Sequence, residues 1–296
     1  MTDYGADWSA GLRRADPDEL REWLDFAIAS ADVADELALG GLRQELTVEA
    51  KADGSFVTEV DKLIETTLRS RLAERFPDHD IVGEEYGSAV GSSSTRWYVD
   101  PIDGTHNYMR GVPLFGTLLA AERDGEIQVG VISAPALGQR WWASRGEGAW
   151  TIGGGRRERR RLHVSDRADL DVAQVLFRSV TDMHASQVAD GFDALLPTVW
   201  RERGFGDFWG YALVADGAAE AMMERDLGPW DLAAPWIIVE EAGGRITDFD
   251  GRRSFAAGEG LATNGVLHEV LLDRLHGRTT GASLPRCADI PRDVRR

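Results

Sequence analysis

The segment Trp97-Tyr98-Val99-Asp100-Pro101-Ile102-Asp103-Gly104-Thr105 carries an apolar strand directly into two acids, a proline and a glycine. Proline after an acid holds that acid in a stiff extended turn and keeps it out of a helix. Two carboxylates three residues apart around such a turn can converge on one hard cation. Magnesium suits them, because it takes few carboxylates in near-octahedral geometry and leaves positions for water and phosphate. Taken alone, the segment reads equally well as a turn whose aspartates cap a helix or accept backbone N–H groups. The spacing also disfavours a covalent aspartyl phosphate, which uses Asp-x-Asp; here two residues separate the acids.

Three other stretches place acids at element ends. Gly83-Glu84-Glu85 follows the apolar pair Ile81-Val82. Val57-Thr58-Glu59-Val60-Asp61 sets an acid at a helix start, and Trp230-Asp231-Leu232-Ala233-Ala234 does the same before an apolar body. Singly, each has a plainer reading as a surface acid or as an acid favoured by the positive end of a helix. Together they form a pattern.

The elements that must position these acids follow from hydrophobic rhythm. Asp16-Pro17 opens a helix in which Leu20, Trp23, Leu24, Ala27, Ile28 and Ala31 keep the i, i+3, i+4 spacing until Gly40-Gly41. Residues 59–75 predict a second helix with Val60, Leu63, Ile64, Leu68 and Leu72 on one face. Residues 46–57 between them read as extended, broken by a turn at Asp53-Gly54. Residues 80–150 alternate strands and turns, with a hairpin at Asp124-Gly125. The run Gly153 to Arg161 is expected to be an exposed loop whose charges are solvated. Residues 207–223 predict a helix, Trp230 to Ala242 another that stops at Gly243-Gly244, then a strand at 245–250 and a last helix over 267–275. This mixture implies layered α and β structure with a lobe boundary near 151–160.

At 296 residues the chain can bury one large core or two packed lobes. A formal charge of -17 argues against a nucleic-acid or anionic-membrane surface, which needs a positive footprint, and agrees with carboxylates gathered around metal ions. The single cysteine, Cys287, allows no internal disulfide. No signal-peptide pattern opens the chain and no apolar run approaches a membrane span, so a cytoplasmic protein is expected.

The motifs together resemble the inositol monophosphatase family of Mg²⁺-dependent, lithium-sensitive phosphatases, over about residues 18–278. A lysine and then D-x-V-T-x-x-D are matched by Lys51 and the stretch ending at Asp61, with Ser55 in place of the first Asp. GEE is Gly83-Glu84-Glu85, W-x-x-D-P-I-D-G-T-x-N ends at Asn107, and W-D-x-A-A is Trp230 to Ala234, followed by Glu241-Ala242-Gly243-Gly244. The resemblance implies an α+β fold, the layered αβαβα sandwich of the inositol monophosphatase and fructose-1,6-bisphosphatase type. An N-terminal lobe over 1–155 would carry most metal ligands. A C-terminal lobe over 156–278 would carry Asp231 and the specificity residues, and 279–296 would be a flexible tail. It further implies two to three Mg²⁺ ions per site. Glu84, Asp100 and the Ile102 carbonyl would hold the first; Asp100, Asp103 and Asp231 the second; a weaker third would sit near Glu84. Asp61 and Thr105 would orient the attacking water, and the N–H groups of Gly104 and Thr105 would hold phosphate oxygens. A homodimer is implied as well.

Specificity is expected from the second half. Gly206-Asp207 with Tyr211, and the stretch Gln139 to Gly146, look like the histidinol-phosphatase branch of actinobacterial type. The ammonium and imidazole of L-histidinol phosphate would be welcomed by Asp207 and Glu224. Arg203 is a further candidate for substrate binding. Asp207 also precedes a helical run and could be its cap. Inositol 1-phosphate or another polyol phosphate is the alternative substrate, since carboxylates bind hydroxyls too. A nucleotide 3′-phosphatase and a catalytically silent binding protein are the remoter readings. Trp141, Trp142 and Trp236 are assigned to core or subunit interface, and His106 to the rim of the site.

Overall fold

The computed structural model describes residues 14–52 and 54–278; Asp53, Cys287 and the stretches 1–13 and 279–296 lie outside the described residues. Two large sheets and three helical layers make up the body of the described chain, with a small antiparallel pair, Val48–Ala50 with Phe56–Thr58, beside them. In spatial order the larger sheet runs Arg156–Arg161, Gly148–Gly153, Gln139–Ser144, Glu126–Ala134, Gly116–Arg123, Thr95–Asp103, Asp80–Gly83, Gly87–Ala89. All its neighbours are antiparallel except Asp80–Gly83 beside Thr95–Asp103. The smaller sheet runs Arg201–Arg203, Gln174–Phe177, Ala221–Arg225, Glu259–Thr263, Arg245–Thr247, with the first two pairs parallel.

Helices Pro17–Gly41 and Glu59–Arg75 cover the outer face of the larger sheet, burying Leu20, Trp23, Ala27, Ile64 and Leu68 against Trp97, Val99 and Val131. Helices Asp207–Ala215 and Pro229–Glu241 fill the space between the sheets, and their core joins Ile132 and Trp141 on one side to Leu176 and Met222 on the other. Helices Ala189–Leu195 and His268–Leu275 cover the far face of the smaller sheet through Phe192, Leu271 and Leu275. The layers therefore read α, β, α, β, α, as a sandwich of amphipathic elements should when each buries its apolar side.

Local chemistry explains the element ends. Asp16 caps the first helix with its carboxylate on Asp18 N and a reciprocal Glu19 bond, ahead of Pro17 in the first turn. Asp124 and Gly125 both take positive φ, 54° and 86°, the conformation a two-residue hairpin turn requires. Trp141 and Trp236 are core, while Trp142 is half-buried on the opposite face of its strand.

Three expectations are corrected. Residues 156–161 are an edge strand rather than a loop, paired with Gly148–Gly153. Its like charges are tolerated because Arg159 and Arg161 lie 5.0 and 6.0 Å from the Trp150 ring and Arg160 pairs with Asp216. The helix expected over 207–223 ends at Ala215, and Ala221–Arg225 is a strand. Gly217, at φ +68°, breaks the run, and burial between two neighbouring strands overrides the helical propensity of its alanines and methionines. Leu63 does not share the apolar face of its helix and is 50% exposed.

Candidate metal centre and active site

Asp100 ends the regular part of its strand, opposite Leu118, and the ladder slips before Asp103 pairs with Gly116. Pro101 cannot donate to the ladder, and Thr117 Oγ1 fixes its carbonyl at 2.8 Å. This bulge turns Asp100, Ile102 and Asp103 toward one cavity. Gly104, at φ +83°, then reverses the chain, and a Cβ there would lie 2.8 Å from the Leu114 carbonyl oxygen. Only glycine fits without strain.

The third acid arrives from the middle layer. Asp231 sits in the first turn of helix Pro229–Glu241 and accepts Gly228 N at 2.6 Å. Oxygens of Asp100, Asp103 and Asp231 lie within 4.8 Å of one another. Asp100 is 1% exposed, and both of its carboxylate oxygens are buried without a hydrogen-bond partner. Burial, then the charges of Glu84, Asp103 and Asp231, hold the Asp100 carboxyl well above the usual range. Burial also pushes Asp231 up to about 7 and raises Asp103. Such a cluster is unfavourable without positive charge.

Glu84 stands in the wall of the same cavity, outside that triad. Lys51 Nζ holds it at 2.8 Å and Glu85 at 2.7 Å. Asp61, in the first turn of helix Glu59–Arg75, accepts Thr58 N at 2.9 Å and the Thr105 hydroxyl at 3.3 Å. The Thr105 hydroxyl is also 3.0 Å from the Ile102 carbonyl oxygen. Burial pushes Asp61 up to about 6.

The cavity lined by Glu84, Asp100, Ile102 and Asp103 has a volume of about 410 Å³ and includes Gly104, Thr105, His106 at its rim, Asp207 and Asp231, with Asp61 buried behind Thr105. His106 leans edge-on against Phe56. Asp207 has φ +58° and is the first residue of its helix. Its side chain does not cap that helix; Asp103 Oδ2 instead accepts Phe208 N at 2.5 Å, while Asp207 Oδ2 receives Asn107 Nδ2 at 3.3 Å. Asp207 N donates to Glu224 Oε1 at 3.4 Å. Glu224 is 2% exposed, its Oε2 has no partner, and burial followed by the Asp207 charge pushes it up to about 8.

Sequence reasoning missed two residues here. Arg178, just past strand Gln174–Phe177, lines the cavity, lies 3.6 Å from Glu224 and is braced by Asp182 at 2.9 Å. No motif marks it; only the strand-end position and the acid four residues on hint at it. Arg203, the arginine singled out from the sequence, is exposed on an edge strand, does not line the cavity and bonds the Glu202 carbonyl. The second residue is Glu65, buried in helix Glu59–Arg75 beside the Glu84 turn. An acid one turn after Asp61 on a helix's inward side was its available signal.

The profile of the inositol monophosphatase family matches residues 19–280. A histidinol-phosphatase of Mycobacterium tuberculosis is 43% identical over 256 residues, covering 86% of this chain and 97% of that protein. One of Streptomyces coelicolor is 43% identical over 88% of this chain and 99% of its own length. Among solved structures, an IMPase of Thermotoga maritima superposes with a TM-score of 0.76 at 30% identity, covering 86% of this chain and 97% of that one.

Proposed function

Because the chain belongs to the inositol monophosphatase family and is a phosphoric monoester hydrolase, we propose that it cleaves L-histidinol phosphate to L-histidinol and phosphate at a Mg²⁺ centre. The observation that carries the substrate is a pair of carboxylates beside the triad, half-buried Asp207 and buried Glu224, with Glu224 Oε2 unpartnered. A ligand bearing an ammonium satisfies that oxygen and offsets the charge that holds both acids high. The name shared by the relatives at 43% identity agrees.

The donor set fits a magnesium centre. Asp100 presents two orphaned buried oxygens next to Asp103 and Asp231, an all-carboxylate environment that a hard cation satisfies and a proton satisfies poorly. Glu84, Asp100, Ile102 through its carbonyl, Asp103 and Asp231 would hold two to three ions. Bound there, Mg²⁺ would neutralise the phosphate, make a water acidic enough to attack and stabilise the leaving oxygen.

The chain's own residues do the rest. Asp61, held by Thr58, receives the Thr105 hydroxyl and keeps it aimed into the cavity, where the pair orients the nucleophilic water and takes its proton. The N–H groups of Gly104 and Thr105, at the bulge exit, bind phosphate oxygens. Asp207 and Glu224 receive the ammonium and imidazole, and Arg178 keeps the two acids from repelling each other outright. The family likeness also carries the expectation of a homodimer in the cytoplasm.

Turnover of L-histidinol phosphate and of inositol 1-phosphate, measured at the same Mg²⁺ concentration, tests the substrate. A strong preference for the polyol ester would end the histidinol reading and leave the metal centre standing.

A further inference from the structure

Helix Glu59–Arg75 buries two acids one turn apart, Asp61 and Glu65, each with 0% exposure. Asp61 serves Thr105. Glu65 does not line the cavity, yet it is fully committed. Its Oε2 accepts Glu85 N at 2.6 Å, and its Oε1 accepts Tyr86 N at 3.1 Å and Arg69 Nε at 2.7 Å. Arg69 reaches past it to bond the Gly87 carbonyl. Gly83 packs so closely on Glu65 that any Cβ would collide with its carboxylate. The turn 83–87 is therefore gripped at both ends from the helix.

That turn is the one that presents Glu84. The turn is also tied by Glu84 N to Val99 O at 3.2 Å, one residue before Asp100, and by Lys51 Nζ to the Glu84 and Glu85 carboxylates. Two successive N–H groups converging on one carboxylate form a concave backbone cradle, which fixes the orientation of both peptide planes. The first of those planes joins Glu84 to Glu85. A turn needing only stability could be sealed by an apolar side chain, with no buried charge to satisfy. Here a buried ion pair fixes the backbone from which Glu84 projects, while Lys51 holds its carboxylate.

We propose that Glu65, braced by Arg69, is a positioning residue for the metal centre: it presents Glu84 to the cavity and so sets the affinity of the divalent cation held on that side, without touching cation or substrate. This rests on the metal-centre reading above. Partners behind a ligand typically change metal affinity by about 10- to 100-fold when removed.

The test is Glu65→Gln, which keeps the volume and one acceptor but removes the charge that Arg69 needs. Titration calorimetry with Mn²⁺ alone should show binding about 10- to 100-fold weaker than in the unaltered chain. The Mg²⁺ concentration for half-maximal phosphate release should rise by the same factor, with kcat at saturating Mg²⁺ little changed. Hydrogen exchange at the amides of Glu85 and Tyr86 should quicken. A folded Glu65→Gln variant with faster exchange and unaltered Mn²⁺ affinity would overturn the proposal. If that variant does not fold, Arg69→Gln loosens the same grip from outside with Glu65 still accepting, and unchanged Mn²⁺ affinity there overturns it equally. Mn²⁺ binding needs no substrate, so a failed substrate reading leaves this readout intact. An unaltered chain that binds no Mn²⁺ overturns both the metal centre and the clamp.

Discussion

The carboxylate of Asp103 accepts the backbone N–H of Phe208 at 2.5 Å, across 105 residues of chain. One oxygen of a metal-centre acid thereby satisfies the start of the helix that carries Asp207. The larger sheet and the middle helical layer are pinned at the point where phosphate and substrate body would meet. On the proposed reading, the residues that would hold metal and those that would receive the substrate share this one hydrogen bond.

Asp100→Asn tests the centre most directly. Losing its charge should lower kcat/KM on the order of 10³-fold, as expected when an electrostatic group at the reacting centre is removed. Because Asp100 is buried amid like charges, the metal-free variant should also be more stable than the metal-free unaltered chain by about 1–3 kcal/mol. Thermal melts with chelator check the second outcome. Normal turnover would refute the assignment.

Stability without metal should fall as pH rises. Asp61, Asp231 and Glu224 are pushed up to about 6, 7 and 8 from ordinary values of 3.8, 3.8 and 4.5. Raised folded values mean the folded chain holds more protons, so the stability is fully present below about pH 4 and is lost through 6 to 8. Each group contributes on the order of 1.4 kcal/mol per pH unit across its window. His268, buried and pushed down to about 3 from 6.5, acts with the opposite sign, and only below 6.5. Between pH 6.5 and 8.5, Tm in chelator should drop while Mg²⁺ raises it increasingly, since metal binding releases protons. A flat chelated Tm would contradict this.

Asp61→Asn should separate proton handling from metal holding. The Thr105 hydroxyl would keep a partner, but the group able to accept a proton would be gone. We expect kcat to fall about 10²- to 10⁴-fold with Mg²⁺ binding by calorimetry little altered. Equal loss of both would move Asp61 into the metal shell.

Asp207→Asn should change selectivity more than turnover. Asparagine tolerates the left-handed backbone at φ +58°, so the fold is spared. Losing one charge-assisted bond, worth about 1.5–3 kcal/mol, should lower kcat/KM for L-histidinol phosphate about tenfold or more, while a neutral aryl phosphate is hydrolysed much as before. An equal drop for both esters would place Asp207 in the common machinery.

Gly104→Ala should be disproportionately harmful. Its φ of +83° and the close Leu114 carbonyl leave no room for a methyl group. A loss of about 1–3 kcal/mol in stability, read by denaturant titration, should accompany weakened phosphate inhibition. Full stability in this variant would show that the bulge relaxes elsewhere.

Much of the site could be read before any fold was known, because its chemistry is local. Asp100-Pro101-Ile102-Asp103-Gly104 forces a bulge wherever it ends a strand, and helix starts at Thr58 and Gly228 orient Asp61 and Asp231 through their own capping bonds. Amphipathic rhythm in the same way implied a layered mixture of helices and strands, while the αβαβα order came with the family resemblance. Tertiary contact decided the rest. Alanine-rich Ala218 to Met223 carries helical propensity, yet strands on both sides and burial on both faces make Ala221–Arg225 extended. Arg178 and Glu65 act through partners 46 and 20 residues away, Glu224 and Glu85. Arg203, plausible by proximity in sequence to Asp207, points to solvent. Short-range sterics and capping are written into neighbouring residues, so the sequence determined the carboxylates and the turns that aim them. Which distant charges face one another depends on how the sheets stack, and that is a property of the packed layers alone.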